Sequence, residues 1–412
     1  MRDQLVARLE RDRDAIVRLV RDMTRIPSEN PPGDTRDLYA FVAGYLEERG
    51  LEYETLAHTP ELPNMLASFA GARPGRHLVL NGHLDIFPAG DRSAWTVDPY
   101  GGEIRDGKLY GRGVIDMKAG TAASLLAYCY LAELREHLPG RLTFTAVSDE
   151  ESGGTWGTGY LLEQRPEALG DCVLSGEPSS PWTVRFGEKA PLWITLTVRT
   201  PGGHGGYTHI SDNAIKVMAN IIRDLEALTD LPVTMPEDVR AAVELARERT
   251  DAALGAGATD VLQRVTLNIG TIRGGVKTNV LAAECHAEVD LRCPIGLESA
   301  VLLAAFDEIV ARYPGTSYRV DQQHEPTVCD PNHEMVGIIQ RNAEAARGIR
   351  PLPGVSIGGT DCRFWRERGI PAYVYGPTPY NMGAPDEYVT LDDLLGTVQV
   401  HVLSAFDYLM GS

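Results

Sequence analysis

Apolar and polar residues alternate along this chain in two distinct rhythms. The stretches "HLVLNGHLDIF" (77–87), "RLTFTAVSDE" (141–150) and "DCVLSGEP" (171–178) are short apolar runs of strand type, each ending in polar residues. Between the first two, "AGTAASLLAYCYLAELREHL" (119–138) consists of good helix formers and predicts a long helix. Strand, helix, strand in this order predicts a mainly parallel α/β sheet, with its chemistry at the carboxyl ends of the strands.

From about Trp182 the rhythm changes. "WITLTVRTPGGHGG" is a β-type run of Ile, Thr, Val and Leu, "VTLNIGTI" and "CHAEVDLRC" read as further strands, and "SDNAIKVMANIIRDLEAL" and "SAVLLAAFDEIVARY" read as helices. With a strand near "SYRVDQQ" they predict a β-α-β-β-α-β unit inserted into the first domain. The charged "PEDVRAAVELARERTDAALGAG" (236–257) predicts an additional surface helix. The α/β rhythm resumes near Thr327, with a helix at "MVGIIQRNAEAARG". The expected division is a domain of residues 1–183 and 327–412, with 184–326 inserted.

Composition narrows the partners. Thirty-nine basic against fifty-seven acidic residues leave a net charge of -18, which disfavours nucleic acid and anionic membrane surfaces. The chain contains no apolar run of membrane-spanning length, and its first twenty residues mix charges with Leu and Val, so a cytoplasmic protein is expected. Six scattered cysteines without a C-x-x-C pair indicate neither a disulfide framework nor a thiolate metal site.

The strand ends carry His83, Asp85, Glu150, Glu151 and Glu177, and a glycine-flanked loop adds Asp116. Five carboxylates at one sheet edge repel one another unless cations lie among them. An imidazole with carboxylate oxygens and no thiolate suits zinc, and also cobalt or manganese; two ions use this charge better than one. Residues two apart on a strand share a face, so His83 can ligate while Asp85 accepts its other ring N–H. Of the adjacent pair Glu150 and Glu151, one can ligate while the other takes a proton from a metal-activated water.

In order and spacing, "NGHLDIFP", "GRGVIDMKAG", "SDEESGG", "SGEPS", "GGHGG", "KTNVLA", "DLRCP", "SIGGTDCR" and "APDEYV" resemble the dinuclear zinc amidohydrolases, the family of acetylornithine deacetylase, succinyl-diaminopimelate desuccinylase, glutamate-releasing carboxypeptidases and aminoacylases. The resemblance implies a zinc-exopeptidase-like α/β catalytic domain and an inserted ferredoxin-like α+β lid that forms a homodimer. It implies cleavage of an amide bond in an N-acyl amino acid or peptide substrate, with one or two zinc ions. By resemblance Asp116 bridges the metals, His83 and Glu177 complete one site, Glu151 belongs to the other, Glu150 is the general base and Asp85 supports His83. His204, otherwise a surface residue of a Gly-rich turn, would reach the partner's active site. Asn279, Arg292, Gly359 and Thr360 would contact substrate. Arg292 is suited to grip a carboxylate and equally to an internal ion pair.

One position breaks the family pattern. The family's last zinc ligand is a histidine four residues before the glutamate of the final motif, and here Gly383 stands there, in "GPTPYNMGAPDEYV". Three outcomes follow: a hydrolase in which Asn381, another oxygen or water replaces the ligand; a one-metal or repurposed catalyst that transfers an acyl group; or a non-catalytic binding protein.

Overall fold

A computed structural model describes residues 1–411. Its largest sheet has nine strands. In spatial order, eight run Glu54–Ala57, Pro63–Ala70, Pro139–Val147, Arg73–His83, Cys172–Ser175, Ala372–Val374, Thr183–Glu188 and Thr327–Val328, and Leu352–Ser356 pairs alongside Thr183–Glu188. Arg73–His83 is parallel to Pro139–Val147 on one side and to Cys172–Ser175 on the other. Antiparallel pairs flank this parallel centre, so the sheet is mixed rather than mainly parallel. The centre is buried on both faces, which is why its strands are continuous apolar runs. The helix Ala119–Ala132 is buried along its whole length, and Leu391–Met410 packs against it and against the helix Glu334–Arg347.

The second sheet is antiparallel, ordered Thr266–Gly274, Glu284–Cys293, Ala190–Arg199, Thr316–Gln323. The helices Ala214–Leu225 and Ser299–Val310 contribute Met218, Ile221, Leu302 and Phe306 to its own apolar core. Element order and strand order together are those of a ferredoxin-like α+β unit.

The stretch 236–257 departs from expectation. It forms two helices, Glu237–Leu245 and Arg247–Leu254, rather than one; they lie on the surface with their charges exposed, but turn one apolar face inward. Val239, Ala242 and Val243, with Met235 and Leu262 nearby, join the core of the large sheet. The spacing i, i+3, i+4 forms an apolar stripe that the surrounding charges conceal in a reading by composition.

Candidate metal centre and active site

The register of the three central strands assembles the site. His83 pairs with Val147, and Asn81 pairs with Ser175, so His83, the turn Glu150–Ser152 and Glu177 emerge at the same edge. Asp116 arrives from the segment leading into the helix Ala119–Ala132. The close approach depends on glycine: a Cβ at Gly120 would lie 2.1 Å from the Gly176 carbonyl oxygen.

His83 is buried, and its Nε2 lies 3.2 Å from Asp116 Oδ1 and 3.5 Å from Glu177 Oε1. Two groups have ligand atoms within 4.8 Å of one another, His83 with Asp116 and Glu151, and His83 with Glu150 and Glu177. Glu151 Oε1 and Glu177 Oε1 are buried without a hydrogen-bond partner. Buried oxygens left unpaired beside an imidazole nitrogen are what a divalent ion would use, so these residues fit the metal centre that the sequence implies.

The electrostatics agree. Burial opposes a charge on His83, but Glu177, Asp116 and neighbouring acids outweigh it and hold the ring well above its ordinary pKa. Burial pushes Glu150 up to about 8, with Asp361 and Asp116 adding to it and His83 and Arg363 opposing. Burial and nearby carboxylates likewise raise Glu151 and Glu177. Carboxyls held this high are pressed together at a cost that cations would relieve.

Asp85 behaves differently from the expectation. The ring N–H of His83 at Nδ1 donates to the main-chain oxygen of Asp85 at 2.8 Å, while the carboxylate stands 3.6 Å away. That carboxylate is fully buried and accepts from the backbone N–H groups of Asp149, Glu150 and Glu151 at 3.0, 3.2 and 3.0 Å, and from Asn30 Nδ2 at 3.0 Å. It therefore holds the turn that carries both glutamates. Three converging N–H dipoles are a better partner for a buried anion than one imidazole.

Two adjoining cavities open on the acids. One, of 410 Å³, is lined among others by Asp116, Glu150, Glu151, Trp193 and Arg363; the other, of 520 Å³, by Asp116, Glu177, Arg185, Arg292 and Met382. Gly359 borders both, and Thr360 the larger. Thr360 gives its N–H and hydroxyl to the buried Glu188, at 3.1 and 2.7 Å. Arg292 lies in the wall, but Asp290 takes its Nε and Nη2 at 2.8 and 3.0 Å, the internal pair rather than a free fork. His204 and Asn279 line neither cavity. They meet on a two-stranded ribbon, where Gly205 N donates to Asn279 O at 2.8 Å, and His204 is exposed.

Around Gly383 the loop is bound to the core. Gly383 adopts a left-handed φ of +74°, its carbonyl accepts from Arg112 Nη2 at 3.1 Å, and Arg112 Nη1 pairs with buried Glu387 at 2.5 Å. The neighbouring Met382 faces the cavities, whereas Asn381 donates its side-chain N–H to Asp386 O at 3.1 Å. Among the described residues, no Asp, Glu, His or Cys of this loop joins the two ligand groups.

The sequence reading missed Asp361, Arg363 and Arg185. Asp361 is buried, accepts from Thr158 Oγ1 at 2.8 Å, and is pushed by burial up to about 6. Arg363 Nη2 and Nη1 donate to the carbonyls of Gly153 and Thr360 at 2.7 and 2.9 Å, bracing the glutamate turn against the 358–360 loop. Both belong to "SIGGTDCR", which was a signal; nothing in the sequence marks Arg185.

The profile of peptidase family M20/M25/M40 matches residues 79–406. Succinyl-diaminopimelate desuccinylase of Cereibacter sphaeroides is 30% identical over 407 residues, 95% of this chain and 98% of the relative. In three dimensions the chain resembles the M20 family metallo-carboxypeptidase Sso-CP2 of Sulfolobus solfataricus, with TM-score 0.82, 18% identity and coverage of 96% and 98%. It also resembles human carnosine dipeptidase 1, with TM-score 0.80, 15% identity and full coverage of both chains.

Proposed function

The chain belongs to peptidase family M20/M25/M40 and is a metal-dependent hydrolase of amide bonds, and from that premise we propose how its residues divide the work and what they act on. The substrate class is an N-acyl amino acid or a dipeptide-like amide, which fits relatives named as a desuccinylase, a carboxypeptidase and a dipeptidase. Those names are all hydrolytic, so acyl transfer and passive binding have no support among them.

His83, Asp116 and Glu177 would hold one ion and Glu151, with Asp116, a second. Zinc bound there would supply Lewis acidity to the scissile carbonyl and acidity to the attacking water. Glu150 would accept one proton from the attacking water and return it to the nitrogen as the C–N bond breaks, leaving a carboxylic acid and an amine, which ionise to a carboxylate and an ammonium. His83 keeps its Nε2 aimed at the carboxylates because its Nδ1–H is bound to the Asp85 carbonyl. The observation that carries this reading is the pair of orphaned oxygens, on Glu151 and Glu177, facing one imidazole.

The lid is proposed to form a homodimer. Tyr207, Ile210, Ile215, Val276 and Val280 are large exposed apolar residues grouped in sequence around the His204 ribbon, an expensive surface to leave in water. His204 of the partner subunit would then stabilise the developing oxyanion, while Asn279 and the 359–360 loop hold the substrate.

Metal analysis of the purified protein, with turnover of N-acyl amino acids and dipeptides, tests the proposal. One or two zinc ions per chain and an inactive Glu150→Gln variant that keeps them are expected. A Glu150→Gln variant with full turnover would overturn the assignment of the base.

A further inference from the structure

The wall of the 520 Å³ cavity contains a buried cation that no carboxylate partners. Arg185, on the strand Thr183–Glu188, is only 8% exposed, and its Nη1 donates to Ser356 Oγ at 2.7 Å. Among the described residues, no Asp or Glu oxygen comes within ion-pair distance of it, and this single bond leaves the rest of its five-donor fork unspent. The other guanidinium groups around the site are committed: Arg112 to Glu387, Arg366 to Glu188, Arg363 to two carbonyls and Arg292 to Asp290.

An unpaired buried cation is costly unless an anion completes it. Burial draws the Arg185 pKa down to about 10, against the more distant pull of Glu177, Glu188 and Asp116. Two of those acids are proposed metal ligands, and Glu188 already has Arg366 and Thr360. When metal neutralises Asp116 and Glu177, Arg185 retains no counter-charge from the protein.

We propose that Arg185 receives a carboxylate of the substrate and so selects acyl amino acids that carry one into this cavity. The family resemblance offers Arg292 equally for that task and for an internal ion pair; Asp290 takes its Nε and Nη2, and Arg185 has the open fork. This rests on the amide-hydrolase reading above. The carboxylate is either on the acyl chain or on the amino acid, and Arg185 serves whichever enters.

The experiment uses the metal-loaded enzyme and two matched substrate pairs. N-succinylalanine against N-butyrylalanine tests the acyl carboxylate, and N-butyrylalanine against its alaninamide tests the other. Wild type is expected to favour the carboxylate member of one pair by about 10- to 100-fold in kcat/KM, the worth of one or two charge-assisted hydrogen bonds. Arg185→Gln should bring that ratio to within about threefold of unity, a change that a purely structural role does not produce. Arg185→Lys keeps the charge without the fork, retains part of the preference, and remains readable if the Gln variant does not fold.

Calorimetric binding of succinate against butyrate, and of N-acetylalanine against its amide, repeats the comparison without turnover. Enzyme that cleaves none of the panel refutes the hydrolase substrate class, yet a carboxylate preference in binding that vanishes in Arg185→Gln still upholds this inference. No preference in either pair, or one that persists in both variants, overturns it.

Discussion

Asp85→Asn separates two readings of the same carboxylate. As the partner of the His83 ring, Asp85 would govern metal affinity; as the acceptor for the 149–151 amides, it governs the turn carrying Glu150 and Glu151. In the variant, the remaining oxygen can serve Asp149 N and Glu150 N, and Asn30 can turn its amide over to meet the new NH2. Glu151 N then faces a donor and is stranded. One buried N–H without an acceptor costs about 1–3 kcal/mol, and the bonds that remain lose their charge assistance, so the total is about 2–4 kcal/mol. At about 2 °C per kcal/mol for a large chain, the metal-loaded protein should melt roughly 4–8 °C lower. The assay combines a thermal melt, a zinc count and kcat. The expected result is a lower melting temperature and a lower kcat, with the ion at His83 retained because Nδ1 bonds to a main-chain carbonyl. A variant with wild-type melting and kcat whose His83 site loses its zinc would refute the reasoning.

Two further outcomes follow from buried groups. Glu387→Ala strands the Arg112 guanidinium, which is 2% exposed, and should cost about 3–5 kcal/mol in urea unfolding; an effect below about 1 kcal/mol would contradict the pairing. His401 is buried, its Nε2–H donates to Tyr375 O at 2.6 Å, and burial pushes its pKa down to about 4. The folded chain keeps it neutral while the unfolded chain takes up a proton below about 6.5, so stability is lost as pH falls from 6.5 toward 4, by at most about 3 kcal/mol from this group. His401→Gln removes that contribution; unfolding at pH 7 and pH 4.5 should show the gap between wild type and variant narrowing, and an unchanged gap would show that His401 does not supply it.

Much of the site could be read before the chain was folded. The period of a strand sets His83 and Asp85 on one face, and three apolar runs ending in acids identify a sheet edge where repulsion demands cations. These features are local in sequence, and local steric and electrostatic rules suffice for them. The apolar stripe Val239, Ala242 and Val243 is equally local, but which core it enters depends on a surface built from residues a hundred positions away.

The amino-acid order alone determined which residue types stand at the strand ends, the family they resemble and the absence of a histidine at Gly383. Only the tertiary structure decided the partners. It gave the Asp85 carboxylate to three amides across a parallel strand pair, gave the Arg292 fork to Asp290, and left Arg185 without an anion in a cavity wall. The physical reason is that a buried charge pairs with whichever dipole or counter-ion the strand register brings within about 3 Å, and register is set by the packing of the whole sheet.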